Sequence, residues 1–207
     1  MNSAREKLIF ALDVDNLEEA RGWVDRLQGQ VGVFKIGKQL FTRCGPEVVR
    51  LVEDRGGDVF LDLKYHDIPN TVAMAGLEAL RLGVRMFNVH ALGGFEMMAK
   101  LVAAIDKVCP RGNPDRPILL AVTILTSSTE ETLRGVGIDR PVSVMVPKLA
   151  RLAKDAGMDE EATAATLATV IPAMVTAAVT APRRARDLVA VVMGQMLPGL
   201  RSLGAGD

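Results

Sequence analysis

Cysteine is scarce in this sequence. Cys44 and Cys109 are the only two, and they form neither a C-x-x-C pair nor a cysteine/histidine metal pattern. They are expected to remain reduced thiols of the idle or buried kind that free cysteines usually are. Histidine is as rare, with His66 and His90 alone, and two separated histidines without cysteine support define no metal site. Net charge is absent too: 25 basic residues stand against 25 acidic ones. The chain therefore lacks the broad basic field that non-specific nucleic-acid binding requires, so no nucleic-acid partner is expected and any anion must be held by local residues. No uninterrupted apolar run approaches the ~20 residues that span a bilayer. The opening MNSAREKLIF has no signal-peptide core or cleavage site. A cytoplasmic protein with no membrane partner is the expectation. Finally, the first strand-to-helix turn holds no G-x-G-x-x-G or G-x-x-x-x-G-K, which argues against a dinucleotide-binding or P-loop sheet.

What is present is a repeating pattern. LIFALDV (8–14) ends in Asp13 and leads to an amphipathic stretch over 17–27, where Asn16 and Glu19 have the spacing of a helix cap and its partner. The pattern recurs as VGVFKIG (31–37) before a helix near Pro46, and as DVFLDLK (58–64) before one near Pro69. MFNVHA (86–91) precedes a helix near Phe95, and ILLAVTIL (118–125) precedes a polar loop and a helix over 142–156. Strands alternating with helices imply parallel strands joined by crossovers. Nearly continuous apolar strands fit a sheet covered on both faces. A closed barrel and an open doubly wound sheet share this pattern. Polar residues at the ends of successive strands favour the barrel, whose active sites gather at the C-terminal rim.

Within DVFLDLKYHDIPNT (58–71), alternation along a strand places Phe60, Asp62 and Lys64 on one face and Val59, Leu61 and Leu63 on the other. The leucine face suits the helix layer, which turns Asp62 and Lys64 into the barrel mouth. The same logic turns Lys35 inward with Val33 and sends Phe34 and Ile36 outward. Asp13 ends the first strand and Asp67 lies just past the third. Buried charges are costly unless paired, so these groups are expected to pair with one another. An isolated Asp-x-Lys is more often a structural ion pair, but convergence from three strand ends favours a site able to hold charge while a reaction creates or removes it. His90 at the end of the fourth strand and His66 in the loop could act as acid or base. A histidine satisfied by neighbouring backbone is the commoner case.

The segments FALDV, FKIGKQLF, FLDLKYHDIPNT, FNVHALGG and AVTILTS, in this order, closely resemble the orotidine 5′-phosphate decarboxylase family over residues 7–159. The DLK-x-HDIPNT element is highly specific to it. The resemblance implies a (β/α)8 TIM-type barrel, a homodimer with shared active sites, decarboxylation of the nucleotide orotidine 5′-phosphate to UMP, and neither metal nor organic cofactor. It makes Lys64 the proton donor, Asp62 the carboxylate beside the departing one, and Lys35 the lysine that pairs with the aspartates. It sends Asp67 and Thr71 into the neighbouring subunit's site. Asp13 would contact the ribose, Ile68 would line the base pocket, and Thr126 would lie against the pyrimidine.

After GMD (157–159) the family's sixth strand, its Pro-Gly-x-Arg loop and its final Gly-Arg are expected, and the two loops would grip the phosphate. From Glu160 on, however, the sequence has no aromatic residue, lysine, histidine, asparagine or cysteine. Residues 1–159 are thus expected to form the catalytic portion of the barrel. Residues 160–207 are expected to be an atypical Ala/Val-rich segment of the same domain, with the last two or three βα units altered or incomplete. Weakened phosphate binding would impair turnover, since a remote group's binding energy helps position the reacting end. The alternatives are an inactive dimeric barrel scaffold, or a related sugar-phosphate decarboxylase or synthase using magnesium, against which HDIPNT argues.

Overall fold

The computed structural model describes residues 8–159. All five expected strands are there: β1 (Ile9–Ala11), β2 (Val33–Gly37), β3 (Asp58–Tyr65), β4 (Met86–His90) and β5 (Ile118–Val122). Every neighbouring pair is parallel, and the strand order is β1-β2-β3-β4-β5. That order decides between the two architectures. A doubly wound sheet reverses direction at a switch point, whereas in a barrel each crossover adds the next strand on the same side. The described strands form an arc of a (β/α)8 barrel. The expected departure of residues 160–207 lies outside the described residues.

The helices are α1 (Leu17–Leu27), α2 (Lys38–Cys44), α3 (Glu47–Glu53), α4 (Pro69–Arg81), α5 (Phe95–Val108), α6 (Glu130–Gly135) and α7 (Val142–Asp155), with a 3-10 turn over Ala91–Gly93. The Asn16 cap forms as expected: its side-chain oxygen accepts the Glu19 N–H at 2.9 Å, and its amide donates to the Glu19 carboxylate at 2.6 Å. Two short helices depart from the expected pattern. α2 follows β2 immediately and breaks at Gly45, whose φ of 60° few other residues adopt. α6 interrupts the expected polar loop, started by Thr129 and Thr132 capping each other.

The core has two layers, and strand alternation produces both. Phe34, Ile36, Val59, Leu61, Phe87, Val89, Leu119 and Ala121 face the helices in one large cluster. Val33, Phe60, Met86 and Leu120 form a smaller cluster on the other face, inside the arc. Val33 therefore points inward and Phe34 and Ile36 outward, as alternation requires. Helices α4 and α5 pack closely because Gly76 has no side chain: a Cβ there would lie 2.2 Å from Leu101 Cδ1 and 3.2 Å from Phe87 Cζ, both fully buried. Replacing a helical glycine by alanine gains about 1 kcal/mol of propensity, and overpacking a tight core costs about 1–3 kcal/mol, so the packing term favours glycine here.

At the other end of the arc, Arg116 ties the chain down. Its largely buried guanidinium reaches Asp106 at 2.9 Å and Asp159 at 3.2 Å. Asp159 also accepts the Leu119 N–H at 2.7 Å, and its own N–H donates to the Leu119 carbonyl at 3.2 Å. The chain leaving α7 is thus held against the β5 side of the sheet, with a buried guanidinium satisfied by two carboxylates.

Candidate active site

Successive strands bring four charged side chains together at the C-terminal rim. Lys35 of β2 is 8% exposed, and its Nζ lies 3.1 Å from Asp13 Oδ1 and 3.8 Å from Asp62 Oδ2. Lys64 Nζ lies 2.5 Å from Asp62 Oδ1. The order Asp13–Lys35–Asp62–Lys64 alternates in sign, so each inward charge has an opposite neighbour and the burial cost is offset by pairing. Asp62 is the most enclosed of the carboxylates named, with 13% of its side chain exposed against 47% for Asp13.

Strict alternation along β3 is not how Lys64 reaches this place. The ladder between β3 and β4 pairs Leu61 with Phe87 and then Tyr65 with Val89, so four steps on one strand face two on the other. Lys64 has φ 51°, the one positive value at a non-glycine among the described residues. A lysine in this region carries strain of order 1–2 kcal/mol. The irregular strand removes Lys64 from the ladder, and its N–H donates instead to Asn88 Oδ1 at 2.7 Å. The expectation that Asp62 and Lys64 are neighbours holds, but a bulge rather than a regular pleat brings them together.

Asn88 is the residue that sequence reasoning missed. It lies in β4, is 2% exposed, and donates from Nδ2 to Asp62 Oδ1 at 2.6 Å. A signal existed: MFNVH holds one amide among apolar residues ahead of its terminal histidine, two places from the inward Met86 and so on the same face.

The carboxyl of Asp62 is held below its ordinary range. Burial alone pushes the value up, but hydrogen bonds from Lys64 and Asn88 and the charges of Lys64 and Lys35 together outweigh it. A depressed carboxylate stabilises the fold fully above its unfolded value of about 4, and that contribution is lost as pH falls through the lower folded value. Asp62→Asn is therefore expected to cost more stability at pH 7 than at pH 3, with the gap from the parent closing steadily below about pH 4. Urea unfolding of both proteins across this range checks it. An equal gap at both ends would show that Asp62 is not a paired carboxylate in the fold.

His90 closes β4 beside this group, and its ring lies 5.7 Å from that of His66. Burial, and then the nearby charges of His66, Lys38 and Lys64, lower its pKa, with Asp62 opposing them. A neutral imidazole at neutral pH follows. Among the described residues, no group of three or more His, Cys, Asp or Glu is arranged to hold a metal ion. Likewise, no described helix is long and apolar enough to cross a membrane.

None of the other expected site residues is hydrogen-bonded or ion-paired to this cluster. Asp67 is exposed and accepts the Ile68 N–H at 2.7 Å. Ile68 is 66% exposed, and Thr71 and Thr126 are exposed as well. Pro69 opens α4 at a position where its missing N–H costs nothing, and this sets the loop carrying Asp67 at the rim.

A parallel arc in sequential order, with an alternating Asp/Lys array at its C-terminal rim, defines a (β/α)-barrel protein with the layout of a barrel enzyme. The chain belongs to the orotidine 5′-phosphate decarboxylase / HUMPS family, whose model matches residues 6–195. That match runs past residue 159, where the sequence resemblance was expected to end. A protein of Syntrophotalea carbinolica named orotidine 5′-phosphate decarboxylase is 67% identical over 156 residues, covering 75% of this chain and 64% of that protein. One of the same name from Geobacter sulfurreducens is 61% identical over 158 residues, 76% of this chain and 65% of that one. The aligned part thus spans just under two thirds of the length of these curated relatives. Among solved structures, an uncharacterized conserved protein from Geobacillus kaustophilus superposes with a TM-score of 0.71 at 34% identity, covering 88% of this chain and 87% of that one. Orotidine 5′-phosphate decarboxylase from Lactobacillus acidophilus gives 0.67 at 37% identity, covering 73% and 68%.

Proposed function

We propose that this chain decarboxylates orotidine 5′-phosphate to UMP in pyrimidine biosynthesis, in the cytoplasm, as a homodimer. The observation that carries the reading is the Asp62 carboxylate fixed between two ammonium groups, Lys64 at 2.5 Å and Lys35 at 3.8 Å. In the reaction the bond from C6 of the pyrimidine to the carboxylate breaks, CO₂ leaves, and the electron pair stays on C6. That carbanion has little resonance stabilisation, so a cation placed beside it supplies most of what the transition state lacks. Lys64 is that cation. Its ammonium then gives C6 a proton and recovers one from water. An ionised Asp62 beside the substrate carboxylate repels it, and the repulsion is relieved as CO₂ departs. Lys35 pairs with Asp62 and Asp13 and holds them in place, and Asp13 is left half exposed to meet the ribose hydroxyls.

In this reading Asp67 and Thr71 complete the site of a second copy, Ile68 lines the base pocket, and Thr126 covers the pyrimidine. The exposure of Ile68, Thr71 and Met74 supports the dimer, because Thr71 and Met74, three apart, share a face of α4 and Ile68 is the residue that caps its start. Leu92 and Phe95, 42% and 47% exposed, extend the apolar surface at the same rim of the adjoining unit. The test is turnover by the full chain in a chelating buffer, offered orotidine 5′-phosphate and, separately, keto-gulonate and hexulose phosphates. Loss of the orotate chromophore with the first and no reaction with the others is expected. Metal-dependent reaction of a sugar phosphate alone would overturn the assignment.

A further inference from the structure

We propose that Asn88 is the positioning residue of this site, its one carboxamide holding the Lys64 backbone and the Asp62 carboxylate in fixed relation so that the Lys64 ammonium stands where the proton is delivered. The inference rests on the decarboxylase reading above. It starts from the break in the β3–β4 ladder between Leu61 and Tyr65, which takes the Lys64 N–H away from any strand partner. A buried donor left in that state is costly, and a left-handed backbone at a lysine does not persist without an outside tie. Asn88 Oδ1 supplies the tie at 2.7 Å. The other end of the same side chain donates to Asp62 Oδ1 at 2.6 Å, the oxygen that also receives Lys64 Nζ. The amide orientation follows from its partners, since only nitrogen can donate to a carboxylate and only oxygen can accept an N–H.

No other side chain of this size does both. Leucine would leave the Lys64 N–H unpaired. Aspartate would still accept that N–H but would set a second carboxylate against Asp62. Serine would be too short to reach both partners. Asn88 is 2% exposed and its neighbours Met86, Phe87 and Val89 are fully packed, so its own rotamer is fixed by the core. The groups facing Asp62 are Lys35 from β2, Lys64 from its own strand and Asn88 from β4, with Asp13, just past β1, beyond Lys35 and His90 closing β4. Asn88 is the one amide of that set, and it joins Lys64 to Asp62.

The test uses the full-length chain with Asn88→Ala and Asn88→Asp. Carbon-detected NMR follows titration of the Asp62 side-chain carboxyl, and steady-state kinetics with orotidine 5′-phosphate give kcat and KM separately. Asp62 is expected to titrate at higher pH in both variants. In both, kcat is expected to fall about 10–100-fold, the usual effect of removing a group that orients a reacting one, with KM changed less than about threefold. Asn88→Asp keeps the shape and the bond from Lys64, so it carries the test if Asn88→Ala does not fold. Unchanged Asp62 titration in a folded variant would overturn the inference. So would a shifted titration with kcat within about twofold of an active parent. If the parent itself does not turn over this substrate, the assigned reaction fails on its own account, and the Asp62 titration alone still decides whether Asn88 holds that carboxylate.

Discussion

Lys64→Ala and Lys64→Met are expected to lower turnover of orotidine 5′-phosphate by about 10⁴-fold or more, because in the proposed reaction each removes both the proton donor and the charge that meets the carbanion. The two contributions act at one atom, Nζ, so no neighbour replaces them. Lys35 is committed to Asp13 at 3.1 Å, and its distance to Asp62 is the longer one, 3.8 Å. The fold is expected to survive. Alanine and methionine adopt φ 51° at about the same cost as lysine, and the N–H that Asn88 holds belongs to the backbone whatever the side chain. Asp62 keeps its hydrogen bond from Asn88 and the charge of Lys35. Circular dichroism and urea unfolding verify the fold, and CO₂ release measures the loss. Turnover of either folded variant at the parent rate would falsify the role given to Lys64.

Mixing two inactive variants, Asp67→Ala and Lys64→Ala, is expected to restore activity. The prediction follows from where Asp67 and Thr71 stand: both are exposed at the rim, and Asp67 forms no ion pair with the Lys64 cluster of its own chain. If each site draws Lys64 from one copy and Asp67 from the other, a mixed dimer contains one intact site and one doubly damaged site. Random assortment makes half the dimers mixed, so recovery should approach about one quarter of parent activity. Subunit exchange is verified independently by tagging one variant and recovering both. Exchange without recovered activity would place Asp67 outside a shared site, and activity of Asp67→Ala alone would show that the residue is dispensable.

Much of this was legible in the sequence, for reasons that differ by element. The five strands announced themselves as apolar runs, Asn16, Pro46 and Pro69 marked helix starts after three of them, and alternation assigned Val33 and Phe34 to the correct layers. Lys35, Asp62 and Asp13 could be placed together because Lys35 and Asp62 lie where β2 and β3 stay in register and Asp13 lies just past β1, so that sequence position and direction are linked. Lys64 was placed correctly by a rule that does not hold there. Its positive φ and the two extra residues of β3 go with a hydrogen bond to Asn88 on the neighbouring strand, and no local pattern encodes a tie between residues 24 positions apart. The short helices α2 and α6, of seven and six residues, are too brief to display a helical period. The change in composition after Glu160 was plain in the sequence, while its structural consequence lies outside residues 8–159.

The irregular strand also explains why the site is built as it is. A regular β3 would keep the Lys64 N–H in the ladder with β4. The bulge instead places its ammonium on Asp62, and backbone strain at Lys64 is offset by the Asn88 amide. Strain of this kind persists where the surroundings over-determine it, and two hydrogen bonds from one buried residue do so here.

The central claim is that this Asp/Lys array performs a decarboxylation that yields UMP. Its most direct test is chromatographic quantification of UMP after incubating the purified full-length chain with orotidine 5′-phosphate in a chelating buffer, with Lys64→Ala run in parallel. The account predicts UMP and CO₂ in equal amounts from the parent and none above background from the variant. A parent that yields no UMP, or a variant that yields as much as the parent, would contradict it.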